Sequence, residues 1–332
     1  MTEELDFFRF VTFVTVSSYS FRYPHFFGKH LALIQSGYVQ ADETGCQVLK
    51  TPWKSDTTQS YMWVYMTGNS PTPAVVYEYQ ESRKGAFAKE FLHGFQGVLQ
   101  SDGYSGYTCV TEQTGITSQG CFAHARRKFQ DVWNVVQKEG VASKAMDVIG
   151  TLYDIEAQTR DLTSDEKQHI REAQAQPILE AFHGWLLETK PHVHAKGLLD
   201  KAIQYTLNQW DSLTYYVQNG EVAIDNNAAE RHIKPFAIGR KNWLFMGSPD
   251  GAKAAATLYS LIETAKLNDV NPEGYLKFIL EHTLDANDTA LMEQLMPWNA
   301  NIETGYIQPS LKPKDAELEK NTPQETTIKD TS

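Results

Sequence analysis

The sequence predicts an α/β fold that contains an all-helical insertion. Segments rich in β-branched and aromatic residues alternate with amphipathic helical segments from about residue 36 to 138. Strand signals then disappear between about 139 and 218, where apolar residues recur at helical spacing. The length of 332 residues and the hydrophobic share of 41% allow a sizeable core, so a mostly disordered chain is excluded.

Strands and helices are predicted in turn along the first part. "GYVQADET" predicts a short strand that ends in acids, and "SYMWVYMTG" and "PAVVYEYQE" predict a strand pair. "KGAFAKEFLHGF" has the apolar spacing of an amphipathic helix. "GVLQSDGYSGY" predicts a strand that runs into glycines, and "ARRKFQDVWNVV" predicts a helix.

Helices are predicted for most of the remaining chain. Thr163 and Glu166 have the spacing of a capping box, which indicates a helix start inside the helical block. After residue 223 we expect a short helix, a loop around "MGSPDG" and two further helices, the last with Pro272 near its start. From residue 309 onward the chain is polar, which predicts a disordered tail.

Charge and cysteine content narrow the functional classes. The net charge of -11 argues against a protein coated in basic patches, although nucleic-acid binding depends on local potential and is not excluded. Three widely spaced cysteines argue against a disulfide framework and favour a reducing cytoplasm. No stretch reaches the ~20 apolar residues that span a bilayer. We therefore expect a cytoplasmic protein with no membrane partner.

Three acids stand where predicted strands end or a predicted helix begins. Asp42 follows "GYVQ", Asp102 follows "GVLQS", and Glu230 lies just inside the helix opened by residues 226–227. Strand ends of α/β domains face the site, and carboxylates there suit Mg²⁺. Other interpretations stay open on spacing alone. The aspartates fit turn positions, and Glu230 fits a capping glutamate or a surface ion pair with Lys234.

Cys121 and His124 form a Cys-x-x-His pair, followed by the basic residues 126–128. A structural zinc site needs about four ligands, and no second Cys/His pair lies nearby, so the pattern favours a buried Cys and a polar His over zinc. The basic residues fit either a solvated helix face or a phosphate clamp.

A second basic cluster, with Arg231, Lys234, Arg240 and Lys241, follows Glu230 and leads into residues 242–245. Arg, Lys and Asn side chains position phosphates, and Trp stacks on a splayed base. The alternative is that "WLF" at 243–245 belongs to the core and that the bases cover its rim.

The order of the motifs is more specific than any one of them. The chain contains, in sequence, "QADET", "LQSDGYSGY", "CFAHARRKF", "LYDIEAQ", "IDNNAAERHIKPFAIGRKNWLFMGSPDGAKAAATLYSLIETAKLN", "NPEGYL" and "LMPWN". Together these resemble the insertion-sequence-66 family of bacterial DDE transposases, over about residues 33 to 299. The resemblance implies a ribonuclease-H-like fold in which Asp42 ends the first strand, Asp102 ends the fourth, and Glu230 lies on a later helix.

The resemblance also implies an activity, cofactors and partners. Asp42, Asp102 and Glu230 would be catalytic and would bind two Mg²⁺ or Mn²⁺ ions, for DNA cleavage at a transposon end and strand transfer into a target. Implied partners are transposon-end and target DNA, further copies of the chain in the DNA complex, and accessory transposition proteins. The expected DNA-binding residues are Arg126, Arg127, Arg231, Lys234, Arg240, Lys241 and Asn242.

A division of the chain follows from the same resemblance. Family members carry a zinc-binding cysteine cluster and a helical DNA-binding segment before the "DET" motif, whereas only about forty residues precede Asp42 here. We therefore expect a catalytic part with a truncated or replaced N-terminus; the alternative is an inactive remnant that binds DNA or a partner protein. The predicted divisions are an atypical segment 1–33, the first catalytic part 34–138, the helical insertion 139–218, the second catalytic part 219–300 and a disordered tail 301–332.

Overall fold

The computed structural model describes residues 24–282, 294–300 and 302. The atypical segment predicted for 1–33 lies outside the described residues as far as residue 23, and the predicted tail lies outside them except for residue 302. Within the described part, the chain folds as a mixed α/β structure. No described helix is both long enough and apolar enough to cross a membrane.

The elements follow in chain order. The sheet region comprises α1 (Pro24–Gln35), β1 (Tyr38–Gln47), β2 (Gln59–Thr67), β3 (Val75–Gln80), α2 (Gly85–Phe91), β4 (Gly97–Gln100), α3 (Thr108–Thr111) and β5 (Ile116–Gln119). The helical region comprises α4 (Phe122–Val136), α5 (Val141–Gln158), α6 (Ser164–Ile170), α7 (Gln176–Thr189), α8 (Leu198–Asn208) and α9 (Trp210–Thr214). The last described helices are α10 (Asn227–Trp243), α11 (Pro249–Leu267) and α12 (Pro272–His282).

The five strands form one sheet in the order β3-β2-β1-β4-β5. β1, β2 and β3 are antiparallel neighbours, whereas β4 lies parallel to β1 and β5 parallel to β4. The predicted strand pair is thus β2 and β3. β5 was not predicted, because its four residues, Ile-Thr-Ser-Gln, include a single apolar side chain and so give a weak strand signal.

β1 has two neighbours over only part of its length. It pairs with β2 from Val39 to Gln47, but with β4 only from Tyr38 to Gln40. Beyond Gln40, this edge of β1 has no strand partner, and the segment from Asn226 to Met246 bonds it instead, at the carbonyls of Ala41, Gly45 and Gln47.

Both faces of the sheet are covered, by different helices. On one face, α1 and α2 pack on a cluster that includes Val39, Trp63 and Phe91. On the other face, α10 and α11 cover β2 and β3 through a cluster that includes Tyr77 and Phe236. The helical region has its own core, listed here by its largest members: Phe122, Phe129, Phe182 and Tyr216.

The helical core reaches the sheet at Tyr38 of β1 and Val98 of β4, whereas Cys46 near the other end of β1 belongs to the cluster under α10. Side chains two apart on a strand share a face. The middle of this face of β1 therefore lies at the seam between the helical core and the α10–α11 cluster.

Helix α11 also closes the outer edge of the sheet. Ser260 Oγ accepts a hydrogen bond from the backbone N–H of Tyr77 at 2.8 Å. Thr264 Oγ1 accepts from the N–H of Val75 at 3.1 Å and donates to its carbonyl at 2.9 Å. An exposed edge strand invites pairing with another chain, and these hydroxyl groups satisfy the edge of β3 instead.

The helical region agrees with the pattern predicted for it. Thr163 caps α6: its hydroxyl accepts from the N–H of Glu166, whose carboxylate accepts from the N–H of Thr163 at 2.9 Å. The core of this region also includes residues of α4, which precedes the predicted boundary at 139. One length was wrong: α10 has 17 residues and is not the short helix expected after residue 223.

Candidate active site

Asp42 lies in the middle of β1, not at its end. The strand continues to Gln47 because β2 pairs with it throughout, so the expectation that Asp42 ends the first strand was wrong. What ends before Asp42 is the pairing with β4, whose last partner on β1 is Gln40. The side chain of Asp42 therefore lies just past the point where pairing with β4 stops and contacts from the start of α10 begin.

Asp102 lies just beyond the fourth strand, which ends at Gln100. Its carboxylate Oδ1 accepts from the N–H of Tyr104 at 2.8 Å, and its carbonyl accepts from the Tyr205 hydroxyl of α8 at 2.6 Å. These bonds hold the turn that carries Asp102 against the helical region.

Strand register brings the two aspartates together. Gln40 and Gln100 are partners in the parallel β1–β4 ladder, and each aspartate lies two residues beyond its glutamine. Because side chains two apart on a strand share a face, Asp42 lies on the face of Gln40. The charge of Asp102 contributes to the raised pKa of Asp42, which fits this proximity.

Glu230 comes from the first turn of α10. It neither caps that helix nor pairs with Lys234: among the described residues, its carboxylate forms its ion pair with Arg127 of α4, at 3.3 Å. His124 Nδ1 lies 3.6 Å from Oε1 of the same carboxylate. The capping-glutamate and surface-pair interpretations are therefore wrong, since the side chain bridges to another helix.

The Asp-Asn-Asn turn before α10 sets the position of Glu230. The carboxylate of Asp225 accepts from the N–H of Asn227 at 3.0 Å and from the Tyr153 hydroxyl at 2.8 Å. Asn226 is fully buried, and its Nδ2 donates to the carbonyl of Ala41 at 2.8 Å. Asn226 therefore ties the start of α10 to the residue next to Asp42, and its side chain does not cap the helix.

Two buried glutamines reinforce this connection, and the sequence analysis did not single them out. Gln40 Nε2 donates to Gln100 Oε1 at 2.8 Å, while Gln40 Oε1 accepts from the N–H of Ala229 at 3.2 Å. Gln100 Nε2 donates to the carbonyl of Ala223 at 2.9 Å. A glutamine two residues before each aspartate, inside a strand, was an available signal because buried amides need partners.

The site is rich in negative charge. The pKa of Asp42 is raised to about 8, mainly by burial, with contributions from the charges of Glu43, Asp102 and Glu230, while a hydrogen bond from the Glu43 N–H opposes the shift. Glu43 itself is held by Arg83 Nε at 2.6 Å and the Tyr107 hydroxyl at 2.7 Å. Like charges that face each other in a partly buried site favour a proton or a cation between them.

Cys121 and His124 form a compact group with Glu230. The ligand atoms of Cys121, His124 and Glu230 all lie within 4.8 Å of one another. No other His, Cys, Asp or Glu trio in the described ranges is this tight, so Asp42, Asp102 and Glu230 form a wider arrangement. The sequence pattern missed the grouping because Glu230 is supplied from a distant part of the chain.

The predicted DNA-binding residues of α10 divide into two groups. Arg231, Lys234, Lys241 and Asn242 are exposed and share one face of the helix at a period of 3.6 residues. Arg240 is half-buried instead, and it donates to Thr44 Oγ1 at 3.2 Å and to the carbonyl of Gly45. Arg240 thus fixes α10 to β1. We call Arg231, Lys234 and Lys241 the basic stripe.

The bases of α4 also have different surroundings. Arg126 and Arg127 are exposed, and Arg127 pairs with Glu230. Lys128 Nζ lies 4.5 Å from the ring centroid of Tyr205, whose hydroxyl holds the turn of Asp102.

The core interpretation of "WLF" holds for its first residue only. Trp243 packs edge-on against Phe236 at 5.4 Å. Leu244 and Phe245 are exposed.

Comparison with known proteins agrees with the geometry. The family model described as Transposase IS66 family matches residues 29–254, and the model of the IS66 C-terminal element matches residues 260–298. The chain belongs to the IS66 transposase family. The resemblance carried by the ordered motifs is thereby confirmed.

Three curated relatives of this IS66 chain come from Sinorhizobium fredii (strain NBRC 101917 / NGR234). Uncharacterized protein y4hP is 32% identical over 262 residues, which cover 73% of this chain and 47% of the relative. Uncharacterized protein y4jD is 33% identical over 282 residues (81% and 55%), and uncharacterized protein y4qI is 34% identical over 277 residues (79% and 50%). The chain spans about half the length of these relatives. No solved structure matches it.

Proposed function

We propose that this chain is the catalytic part of a DDE transposase that cleaves DNA at a transposon end and transfers the strand to a target. The observation that carries the proposal is the placement of three acids: Asp42 lies on β1, Asp102 follows its parallel neighbour β4, and Glu230 lies on a helix whose start is bonded to the residue next to Asp42. Membership of the IS66 transposase family supports transposition as the process.

The sheet supports a ribonuclease-H-like fold for this catalytic part. Three antiparallel strands are followed by two strands parallel to the first, in the order β3-β2-β1-β4-β5. One aspartate lies on the central strand β1 and the other follows its parallel neighbour β4. We infer that α5 to α9 form the insertion predicted at 139–218, between the second and third acids.

The residues of the site fit divalent cations. Asp42, Asp102 and Glu230 offer hard oxygen ligands of the kind that Mg²⁺ and Mn²⁺ prefer. The fully buried Asn226 leaves Oδ1 without a hydrogen-bond partner next to this site. A cation would also relieve the mutual repulsion that contributes to the raised pKa of Asp42. The negative charge, the oxygen ligands and the unpaired Oδ1 of Asn226 therefore all fit a divalent cation at this site.

In the proposed mechanism, Asp42 and Asp102 hold the cations from the sheet and Glu230 completes the ligand set from α10. The chemistry that two bound divalent cations supply is stabilisation of the attacking and the leaving oxygen of a phosphodiester. Asn226 and Gln40 keep α10 at a fixed distance from β1. Arg127 holds the Glu230 carboxylate in the absence of a cation and is exposed enough to turn to a phosphate instead.

The basic stripe supports DNA as the partner. From Arg231 to Lys241 it extends ten residues along α10, which is about 15 Å at ~1.5 Å per residue. It begins beside Glu230, so a DNA backbone that follows it would deliver a phosphate to the acids. Assembly of several copies on DNA and a role for accessory proteins remain part of the proposal.

The experiment is a nicking and strand-transfer assay on DNA that carries the repeats flanking the gene. We expect Mg²⁺-dependent nicking by the wild type and at least about a thousandfold loss in Asp102→Asn, because several kcal/mol of transition-state stabilisation depend on the cations. Equal activity of the two proteins would refute the proposal. Salt-dependent DNA binding with no metal-dependent nicking would favour the inactive-remnant alternative.

A further inference from the structure

A second group of ligand-type side chains shares one member with the proposed catalytic acids. Cys121 directly precedes α4, His124 lies on its first turn, and Glu230 comes from α10. Their sulfur, ring-nitrogen and carboxylate-oxygen atoms lie within 4.8 Å of one another. This donor set differs from that of the aspartates, because it includes a thiol and an imidazole.

The spacing suits a tetrahedral cation. His124 Nδ1 lies 3.6 Å from Glu230 Oε1. Two ligand atoms at ~2.0–2.2 Å from zinc, placed at a tetrahedral angle, lie about 3.4 Å apart. His124 Nδ1 and Glu230 Oε1 are therefore about as far apart as two ligand atoms of one zinc ion, and no hydrogen bond joins them.

The imidazole is available as a ligand. His124 Nδ1 is buried and has no hydrogen-bond partner. The neutral ring presents a lone pair, and an unpaired buried nitrogen is costly unless something binds it.

The thiol lies where backbone N–H groups surround its sulfur. Cys121 is fully buried at the N-terminal end of α4, and the N–H of Asn226 points at its sulfur over 3.3 Å. Burial raises the pKa of the thiol to about 12, while the N–H groups of Asn226, His124 and Ala123 oppose the shift. Free in the fold it is a thiol; a bound cation would displace its proton to solvent.

We propose that Cys121, His124 and Glu230 form a site for a borderline-soft divalent cation such as Zn²⁺, and that its binding withdraws Glu230 from the two aspartates. Thiolate and imidazole ligands select Zn²⁺ over Mg²⁺, and three protein ligands leave a fourth position for water. Arg127, whose side chain is 53% exposed, would release the carboxylate. The proposed binding of Zn²⁺ is argued from the geometry alone, whereas the inhibition of DNA nicking by Zn²⁺ rests on the proposed function.

Titration of the whole chain with Co²⁺, followed by absorption spectroscopy, tests binding. We expect one equivalent of Co²⁺ to bind and give a sulfur-to-cobalt charge-transfer band, and we expect Zn²⁺ to displace this Co²⁺. Cys121→Ser should lose the band and weaken Zn²⁺ binding at least about a hundredfold. The matched control is Cys109→Ser. Cys109 is a partly buried free cysteine outside the group of Cys121, His124 and Glu230, so this variant should keep the band and the Zn²⁺ affinity.

Further variants guard against misfolding and separate the two proposals. His124→Ala should weaken Zn²⁺ binding while the remaining thiolate still gives the band. Asp102→Asn should bind Zn²⁺ normally although it fails to nick DNA. Cys121→Ser should lose inhibition by stoichiometric Zn²⁺, measured relative to its own Mg²⁺-dependent nicking without Zn²⁺. The proposed cation site would be overturned if the wild type showed no sulfur-to-cobalt band, or if Cys109→Ser lost the band and the Zn²⁺ affinity as much as Cys121→Ser does. The proposed inhibition would be overturned if Zn²⁺ left the nicking rate of the wild type unchanged.

Discussion

The two aspartates and the glutamate of the proposed site are positioned in different ways. Asp42 and Asp102 follow paired residues of adjacent parallel strands, so the β1–β4 register brings them to the same part of the sheet, and Tyr205 also holds the turn of Asp102. Glu230 lies 128 residues after Asp102, on a helix whose start is held by Asn226 and Gln40. The aspartates belong to the sheet, whereas the glutamate depends on contacts among three parts of the chain.

This difference means that the two halves of the site can be damaged separately. Changes in the Asp-Asn-Asn turn should displace Glu230 and leave the two aspartates in place. Changes on the exposed face of α10 should alter DNA binding and leave all three acids in place. The variants below separate these cases, from the largest expected effect to the smallest.

The largest effect on stability is expected from Glu156→Gln. Glu156 binds Arg171 through two bonds, at 2.8 and 2.6 Å, and Arg171 is 3% exposed. Arg171 also donates to the carbonyls of Tyr216 and Asn219, both at 2.9 Å, at the start of the segment that leads to α10. Removing the charge of Glu156 leaves a buried guanidinium uncompensated, which costs about 3–5 kcal/mol in urea unfolding.

The matched control is Glu281→Gln in α12. Glu281 pairs with Lys277 at 3.9 Å, and both side chains are exposed. Exposed pairs contribute little, so a change within about 0.5 kcal/mol is expected. Equal effects of the two substitutions would show that the Arg171 pair does not support the helical region.

A smaller effect is expected from Asn226→Ala. The variant loses the bond from Asn226 Nδ2 to the buried carbonyl of Ala41, which costs about 1–3 kcal/mol of the free energy of unfolding. It should also slow nicking, since α10 is no longer tied to β1. The exposed Asn242→Ala serves as control, with an expected change within about 0.5 kcal/mol. Wild-type stability and nicking in Asn226→Ala would contradict this role.

The two aspartates of the proposed site were more predictable from local sequence patterns than Glu230 was. Strand patterns with acids after them identified Asp42 and Asp102, although the extent of β1 was wrong because pairing with β2 continues past the acid. The family motif identified Glu230. Its supports, Gln40, Gln100 and Asn226, were not identified because their partners lie 60 to 189 residues away. Local patterns carry no information about such contacts.

The Cys-x-x-His pair is a second case in which local spacing does not show a long-range contact. Counting nearby Cys and His residues argued against a metal, since no second pair lies close in sequence. The fold brings Glu230 to the pair from 106 residues beyond His124. A ligand set that depends on a long-range contact is not visible in local spacing.

The smallest effect on the fold, and a specific one on DNA binding, is expected from replacing the basic stripe. Each phosphate contact contributes about 0.9 to the slope of log affinity against log salt. Changing Arg231, Lys234 and Lys241 to Ala should therefore reduce this slope by about 3 in a fluorescence-anisotropy titration, without altering unfolding.

The control for the stripe removes the same charge elsewhere. Lys89, Lys138 and Lys201 are exposed and lie on α2, after α4 and on α8. Their joint replacement by Ala should leave the salt slope nearly unchanged, whereas an equal decrease would indicate that only net charge matters.

The most direct test of the account is calorimetric titration with Mn²⁺ of the wild type and of Asp42→Asn, Asp102→Asn and Glu230→Gln. Loss of an outer-shell partner of a metal ligand already costs ~10–100-fold in affinity. We predict that each variant binds Mn²⁺ at least about tenfold more weakly while its thermal unfolding stays cooperative. Wild-type affinity in Glu230→Gln would contradict the account, because the helix-borne acid would then not share a cation site with the two aspartates of the sheet.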